Sequence, residues 1–190
     1  MSSFQLYVKL GWDHLSDLNG YDHMLFLLVL VVGIQLKQWK QIGGLVTAFT
    51  IGHTLALFSV VLFSFPVPVD LVEQGILWSI VALAIQKLVL SFRQKETNVR
   101  WNPQYALVLF FGLIHGLGFS SYLKAMILPE KIVVSLLGFN LGLELAQIAF
   151  VCLILSVFIL LYKFFNTNII TRIVTTVVSA WVLFLLTQNT

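Results

Sequence analysis

The sequence predicts an all-α fold, a polytopic membrane helix bundle of about six transmembrane helices, and three observations carry that expectation. The 190 residues are 59% hydrophobic. Only 10% are Asp, Glu, Lys or Arg, against about 25% in ordinary globular domains, too few to coat a water-facing surface. The apolar residues come in long unbroken runs rather than alternating with polar ones, which argues for helices and against a β-barrel.

Residues 1–190 read as one integral membrane domain. Residues 1–18, beginning "MSSFQLYVKLGW", lack the apolar core of a signal peptide and predict a short interfacial helix. Windows of about 20 apolar residues then place spans near 19–36, 41–65, 70–92, 104–126, 131–165 and 169–186. Asn19 or Gly20 caps the first span. "PVPVD" ends the second, "RQKETNVRWNP" separates the third from the fourth, and "LPEK" ends the fourth. The fifth window is too long for an upright helix, so tilt, a protruding end or a break near Gly138 to Gly142 is expected.

Lys37, Lys40, Arg93, Lys95, Arg100, Lys163 and Arg172 fall in or beside alternate turns. Positive residues in short loops stay cytoplasmic, so both termini are expected outside, with Trp39 and Trp101 at the inner interface. The net charge of +3 is accounted for by those turns and implies no nucleic-acid partner. The single cysteine, Cys152, excludes an internal disulfide and nearly excludes a thiolate metal site.

Polar residues inside apolar spans are costly and tend to mark a site. His53 lies mid-way along the second span and His115 mid-way along the fourth. Asn140, Glu144 and Gln147 follow i, i+4, i+7 spacing in the fifth and so share a helix face. Asp22 and His23 open the first span, and a turn at Asn19–Gly20 folds His14 back over its mouth. Each of these residues alone has a plain structural role available, a hydrogen bond between helices worth about 1 kcal/mol. As a set they place a His or carboxylate on four spans at similar depth, which favours a functional centre. Thr50, one turn before His53, is a supporting residue; Glu73 lines the vestibule or is a first-turn acid favoured by the helix dipole. The G-x-x-x-G pairs Gly112/Gly116 and Gly138/Gly142 are expected to bring spans four and five together.

Imidazole and carboxylate ligands suit nickel, cobalt, zinc or ferrous iron. Met24, Met126 and Cys152 do not cluster in sequence, so cuprous copper is not favoured. No phosphate-binding loop, dinucleotide fingerprint or G-x-S-x-G element occurs. Gln86 is the main polar candidate between the site and the cytoplasmic side.

The segments "GWDHLSDLNGYDHMLFLL", "TAFTIGHTLAL", "PVDLVEQGILWSIVAL", "FGLIHGLGFSS" and "FNLGLELAQ" together resemble the HupE/UreJ family, over about Gly11 to Gln147. That resemblance implies a hydrogenase or urease accessory protein, or a nickel or cobalt permease, of the bacterial inner membrane. It also implies metalloenzyme-maturation partners or a homo-oligomer as possible company. The family's His and Asp-His opening corresponds to His14, Asp22 and His23, and its later motif histidine to His115. Nickel-permease members have a shorter His to Asp-His spacing and a second histidine near the fourth-span motif, where this chain has Gly112. Two functions follow. The first is divalent-metal transport, with His14, Asp22, His23, His53, His115 and Glu144 as ligands and Asn140, Gln147, Glu73 and Thr50 in support. The second is an intramembrane zinc hydrolase, with Glu144 or Asp22 orienting or deprotonating the metal-bound water.

Overall fold

The computed structural model describes residues 2–17, 20–92, 103–127 and 131–188. Among these, seven α-helices form the bundle: α1 (Ser3–Ser16), α2 (Tyr21–Val31), α3 (Trp39–Phe63), α4 (Val69–Phe92), α5 (Pro103–Met126), α6 (Ile132–Tyr162) and α7 (Thr167–Gln188). α3 to α7 are each long and apolar enough to cross a bilayer. The expected caps and turns at Asn19, Arg93, Lys95, Arg100, Trp101 and Glu130 lie outside the described residues.

The first expected span is corrected. Residues 19–36 do not form one membrane-length helix. α2 has 11 residues, about 16 Å of helix and half of a bilayer core. It stops because Val32 leaves the helical region at ψ 138 and Gly33 then takes φ +79, a turn that interrupts the ladder. The polar backbone freed by that stop is bonded within the bundle: Gly33 N–H donates to the Tyr162 hydroxyl at 3.0 Å, and the buried Lys87 ammonium donates to the Val32 carbonyl at 3.3 Å. Val29 to Val32 are fully buried, so α2 ends inside the bundle.

Of the three outcomes expected for the fifth span, the break is not seen. α6 runs unbroken for 31 residues, about 46 Å, with no break near Gly138 to Gly142. Leu137, Leu141, Leu145 and Ile148 are exposed on it at steps of four, four and three residues, a stripe that faces lipid. The opposite stripe, with Gly138 and Gly142, is buried.

Two helix pairs pack backbone against backbone. On α5, a Cβ at Gly112 would strike the Phe49 carbonyl, and one at Gly116 would meet His53 and Ala56. On α3, a Cβ at Gly52 would strike the Leu109 carbonyl. Residue pairs 49/112 and 53/116 climb together, so α3 and α5 run parallel. The second pair corrects the expected partner of Gly138 and Gly142. A Cβ at Gly142 would strike the Val8 carbonyl, one at Gly138 would crowd Phe4 and Tyr7, and one at Gly11 would strike the Phe139 carbonyl. These glycines therefore seat α1 on α6, and do not join the fourth and fifth spans. The expected interfacial N-terminal segment is thus a helix laid along the first turns of α6. Tyr7 O–H donates to the Met126 carbonyl at 2.9 Å, and Lys131 donates to Ser3 Oγ at 2.9 Å, which fixes its start.

α3 is tied to α6 by polar bonds. Thr50 Oγ1 lies 2.7 Å from Gln147 Oε1, and Thr54 Oγ1 lies 2.7 Å from Asn140 Oδ1. Each hydroxyl also reaches a carbonyl of its own helix, Val46 at 3.1 Å and Thr50 at 2.7 Å. The pairs 50/147 and 54/140 run in opposite order, so α3 and α6 are antiparallel and the two bonds bracket His53. At the far end, Arg172 of α7 donates to Ser91 Oγ at 3.2 Å and to the Ser91 carbonyl at 3.0 Å. It also stacks over Phe92 at 3.9 Å, closing the end of α4.

Two outcomes check this packing. Gly112→Ala forces α3 off α5 and should cost about 2 kcal/mol or more, read as a lower unfolding temperature in detergent. Gly43→Ala meets nothing within 4 Å and should be neutral, or stabilising by up to about 1 kcal/mol through helix propensity. A double-mutant cycle of Thr50→Val with Gln147→Leu should give a coupling of about 0.6 kcal/mol, the usual size of such bonds in membrane bundles; zero coupling would dismiss the tie.

Candidate metal centre

Four helices each contribute one histidine to a single cluster. His14 comes from the last turns of α1, His23 from the first turn of α2, His53 from the middle of α3 and His115 from the middle of α5. The turn between α1 and α2 brings the His14 ring to 4.8 Å from that of His23. His53 lies 6.0 Å from both, and His115 lies 5.1 Å from His23. The α3–α5 glycine contact helps bring His53 and His115 to a shared neighbour, His23, since Gly116 follows His115 directly and packs on the His53 backbone.

Two overlapping ligand sets result. One ring nitrogen from each of His14, His23 and His53 lies within 4.8 Å of the others, and so do ligand atoms of Asp22, His23 and His115. His23 belongs to both. Its Nδ1 lies 3.2 Å from Asp22 Oδ1, the carboxylate–imidazole pairing that fixes a ring's orientation. Asp22 sits in the first turn of α2, where the helix dipole favours a negative charge.

The nitrogens of this cluster lack protein partners. His14 Nε2, His23 Nε2, both nitrogens of His53, and His115 Nδ1 are buried without a hydrogen bond among the described residues. His53 is 0% exposed and His115 1%. Burying a polar group unpaired costs about 1–3 kcal/mol, and five such ring nitrogens concentrate in this one cluster. Nitrogen donors gathered in this way could hold a divalent transition-metal ion.

Phenylalanine rings wall the cluster. Phe119 lies 3.9 Å from His14, Phe26 and Phe49 each 5.1 Å from His115, and Phe139 stacks at 15° on His53. Nothing in the sequence reading singled them out. A signal was present, because Phe26, Phe49 and Phe119 sit three or four residues from His23, His53 and His115, on the same helix faces. Ser79 of α4 was also missed; its Oγ lies 3.1 Å from His115 Nε2.

The remaining expected site residues lie elsewhere. Glu144 is half-buried on α6, outside both ligand sets and without a hydrogen bond or ion pair among the described residues. Glu73 is exposed on α4 and also outside them. Asn140, Gln147 and Thr50 are engaged in the α3–α6 bonds, and the Gln147 Nε2 remains unpartnered. Gln86, expected on the inner path, has a buried Oε1 without a partner. At Gly112 the Phe49 backbone leaves no room for a side chain.

Comparison with curated proteins and with solved structures finds no significant match. A protein-family model described as "HupE / UreJ protein" matches residues 1–188. That match covers nearly the whole chain, including the rest of α6 and all of α7 beyond the motifs that carried the resemblance. With five membrane-length helices and a buried histidine cluster, the chain is a membrane protein that belongs to the HupE/UreJ family.

Proposed function

We propose that this chain binds a divalent transition-metal cation in the cluster of His14, Asp22, His23, His53 and His115, and carries it across the bacterial inner membrane. Nickel or cobalt is the cargo favoured by the family name. The observation that carries the reading is the set of buried ring nitrogens without protein partners on four converging helices. Neutral imidazole is a good ligand for nickel, cobalt and zinc and a poor one for magnesium or calcium, which take oxygen. Asp22 supplies the one carboxylate of the two sets and orients His23. The shared position of His23 gives an entering ion two adjacent stations, first with His14 and His53 and then with Asp22 and His115, or the reverse.

On the orientation expected from the basic turns, α1 and the start of α2 face outward and receive the ion from that side. Glu144 is not needed as a ligand, since both sets form without it.

A second reading is favoured by the phenylalanine walls and by the full burial of His53 and His115. Such enclosure also suits a resident zinc ion that activates a water, with Asp22 as the acid–base group.

Nickel titration of chelator-stripped protein, together with uptake into intact cells, separates these readings. Wild type should bind the ion and raise accumulation above control. His53→Ala and His115→Ala should lose both, while Glu73→Gln retains both. Tight stoichiometric metal without uptake supports the resident centre, and absence of binding defeats both readings. Binding should also weaken as pH falls. Every ligand imidazole must be unprotonated to bind, and burial, with His23 alongside, lowers His14 to about 3, so its protonation competes with the metal only in strong acid, which nickel affinity measured from pH 8 downward would show.

A further inference from the structure

Ser79 stands apart from the expected site. It lies in the middle of α4, a helix that contributes no ligand, and is 3% exposed. Its Oγ makes two contacts: 2.6 Å to the Ile76 carbonyl of its own helix and 3.1 Å to His115 Nε2. A serine hydroxyl has one proton and two lone pairs. The Ile76 carbonyl can only accept, and at the shorter distance it takes the proton. Toward His115 the Ser79 oxygen is then an acceptor, and Nε2 must carry hydrogen. A neutral imidazole protonated at Nε2 has its lone pair on Nδ1. In His115 that Nδ1 is the buried nitrogen without a partner.

We propose that Ser79 is a positioning residue that fixes His115 as the Nε2–H tautomer and so presents the Nδ1 lone pair to the cluster. The opposite tautomer would turn both nitrogens the wrong way. Ser79 would have to give up its bond to Ile76 to donate to Nε2, and an N–H on Nδ1 would be buried with no acceptor. The walls offer no alternative anchor, since Phe26 and Phe49 hold the faces of the ring at 5.1 Å but supply no hydrogen-bond acceptor. The pairing is the histidine-orienting contact common around metal ligands, with a hydroxyl in place of the usual carboxylate or carbonyl. It also complements Asp22, which acts on His23 in the second ligand set. The ligand role of Nδ1 rests on the metal reading above; the tautomer assignment does not.

The test reads the tautomer without metal. Histidine is labelled with 15N in the full chain in lipid or detergent, above neutral pH, and the His115 signals are assigned by their loss in His115→Gln. Wild type should show His115 protonated at Nε2. Ser79→Ala should give a mixture of tautomers, and Ser79→Thr, which keeps the oxygen, should restore the wild-type signal. Nickel affinity should fall roughly tenfold to a hundredfold in Ser79→Ala and recover in Ser79→Thr. His115 protonated at Nδ1 in wild type overturns the proposal even if the alanine variant fails to fold. So does a Ser79→Ala spectrum with the tautomer unchanged. If wild type shows the Nε2–H form but binds no nickel, cobalt or zinc, the metal reading and the ligand role fall and Ser79's control of the tautomer stands.

Discussion

The contact between the backbones of α3 and α5 is the constraint on which the centre depends. Gly52, Gly112 and Gly116 let the two helices approach until carbonyl meets Cα, with no side chain between them. At that separation Gly116, which follows His115, lies against the His53 backbone, and the two imidazoles end 6.0 and 5.1 Å from that of His23. The α1–α6 contact repeats the device with Gly11, Gly138 and Gly142, and delivers His14 from one turn further along α1. Small residues at helix interfaces are usual in membranes, where apolar burial gives no advantage over lipid and close van der Waals contact must hold helices together. In this chain the same economy of volume sets the site. A methyl group at any of these positions would widen the gap between imidazoles before it disturbed the chemistry of any one of them.

The bundle treats its buried polar groups in two ways, and the difference separates scaffold from centre. Thr50, Thr54, Asn140 and Gln147 bond to one another across α3 and α6. Lys87, Tyr162 and Gly33 bond around the interrupted end of α2. Arg172 closes α4. Although Gln147 Nε2 is left without a partner among the described residues, most of these groups satisfy one another, as a hydrocarbon interior requires. The imidazoles do not. Among the described residues, His23 and His115 each have a partner for one nitrogen, Asp22 and Ser79 respectively, and in each case the other nitrogen is left bare. A partner on one side and nothing on the other is the arrangement of an oriented ligand. A structural histidine would be bonded on both sides, or on one with the other in contact with water.

Much of this was legible in the sequence, and the failures have physical causes. Composition and run length are enough to assign the class, because so few charges leave no soluble alternative. His53 and His115 stand out because an ionisable group deep in an apolar run is costly. The length of α2 was hidden: Val29 to Val32 read as a continuing span, and only the turn at Val32 and Gly33 reveals the stop. The partners of Gly138 and Gly142 were hidden as well, since a glycine pair states that something approaches closely without saying what. Glu144 attracted attention through its charge, but helical spacing places it on the face with Asn140 and Gln147 and says nothing of its rotamer or reach. Ser79 left no mark, since serines in membrane helices commonly bond only to their own carbonyls. Its second contact depends on how α4 and α5 meet.

The charge of the donor set bears on how an ion would behave there. Asp22 alone offsets a dication among neutral imidazoles, leaving about one net positive charge in an interior where Coulomb energies are several times those in water. A second carboxylate on the ion would neutralise it and hold it far more firmly. Glu144 is the one acid deep in a span, and it stays outside both ligand sets. Conduction needs a site favourable enough to enter and weak enough to leave, and it benefits from neighbouring stations between which an ion can step. Two ligand sets sharing His23, with a single carboxylate between them, meet that requirement better than a closed, charge-balanced cage of four ligands. The donor count therefore weighs toward passage over permanent residence, against the enclosure of the phenylalanine walls, and it does so through charge rather than through any property of one histidine.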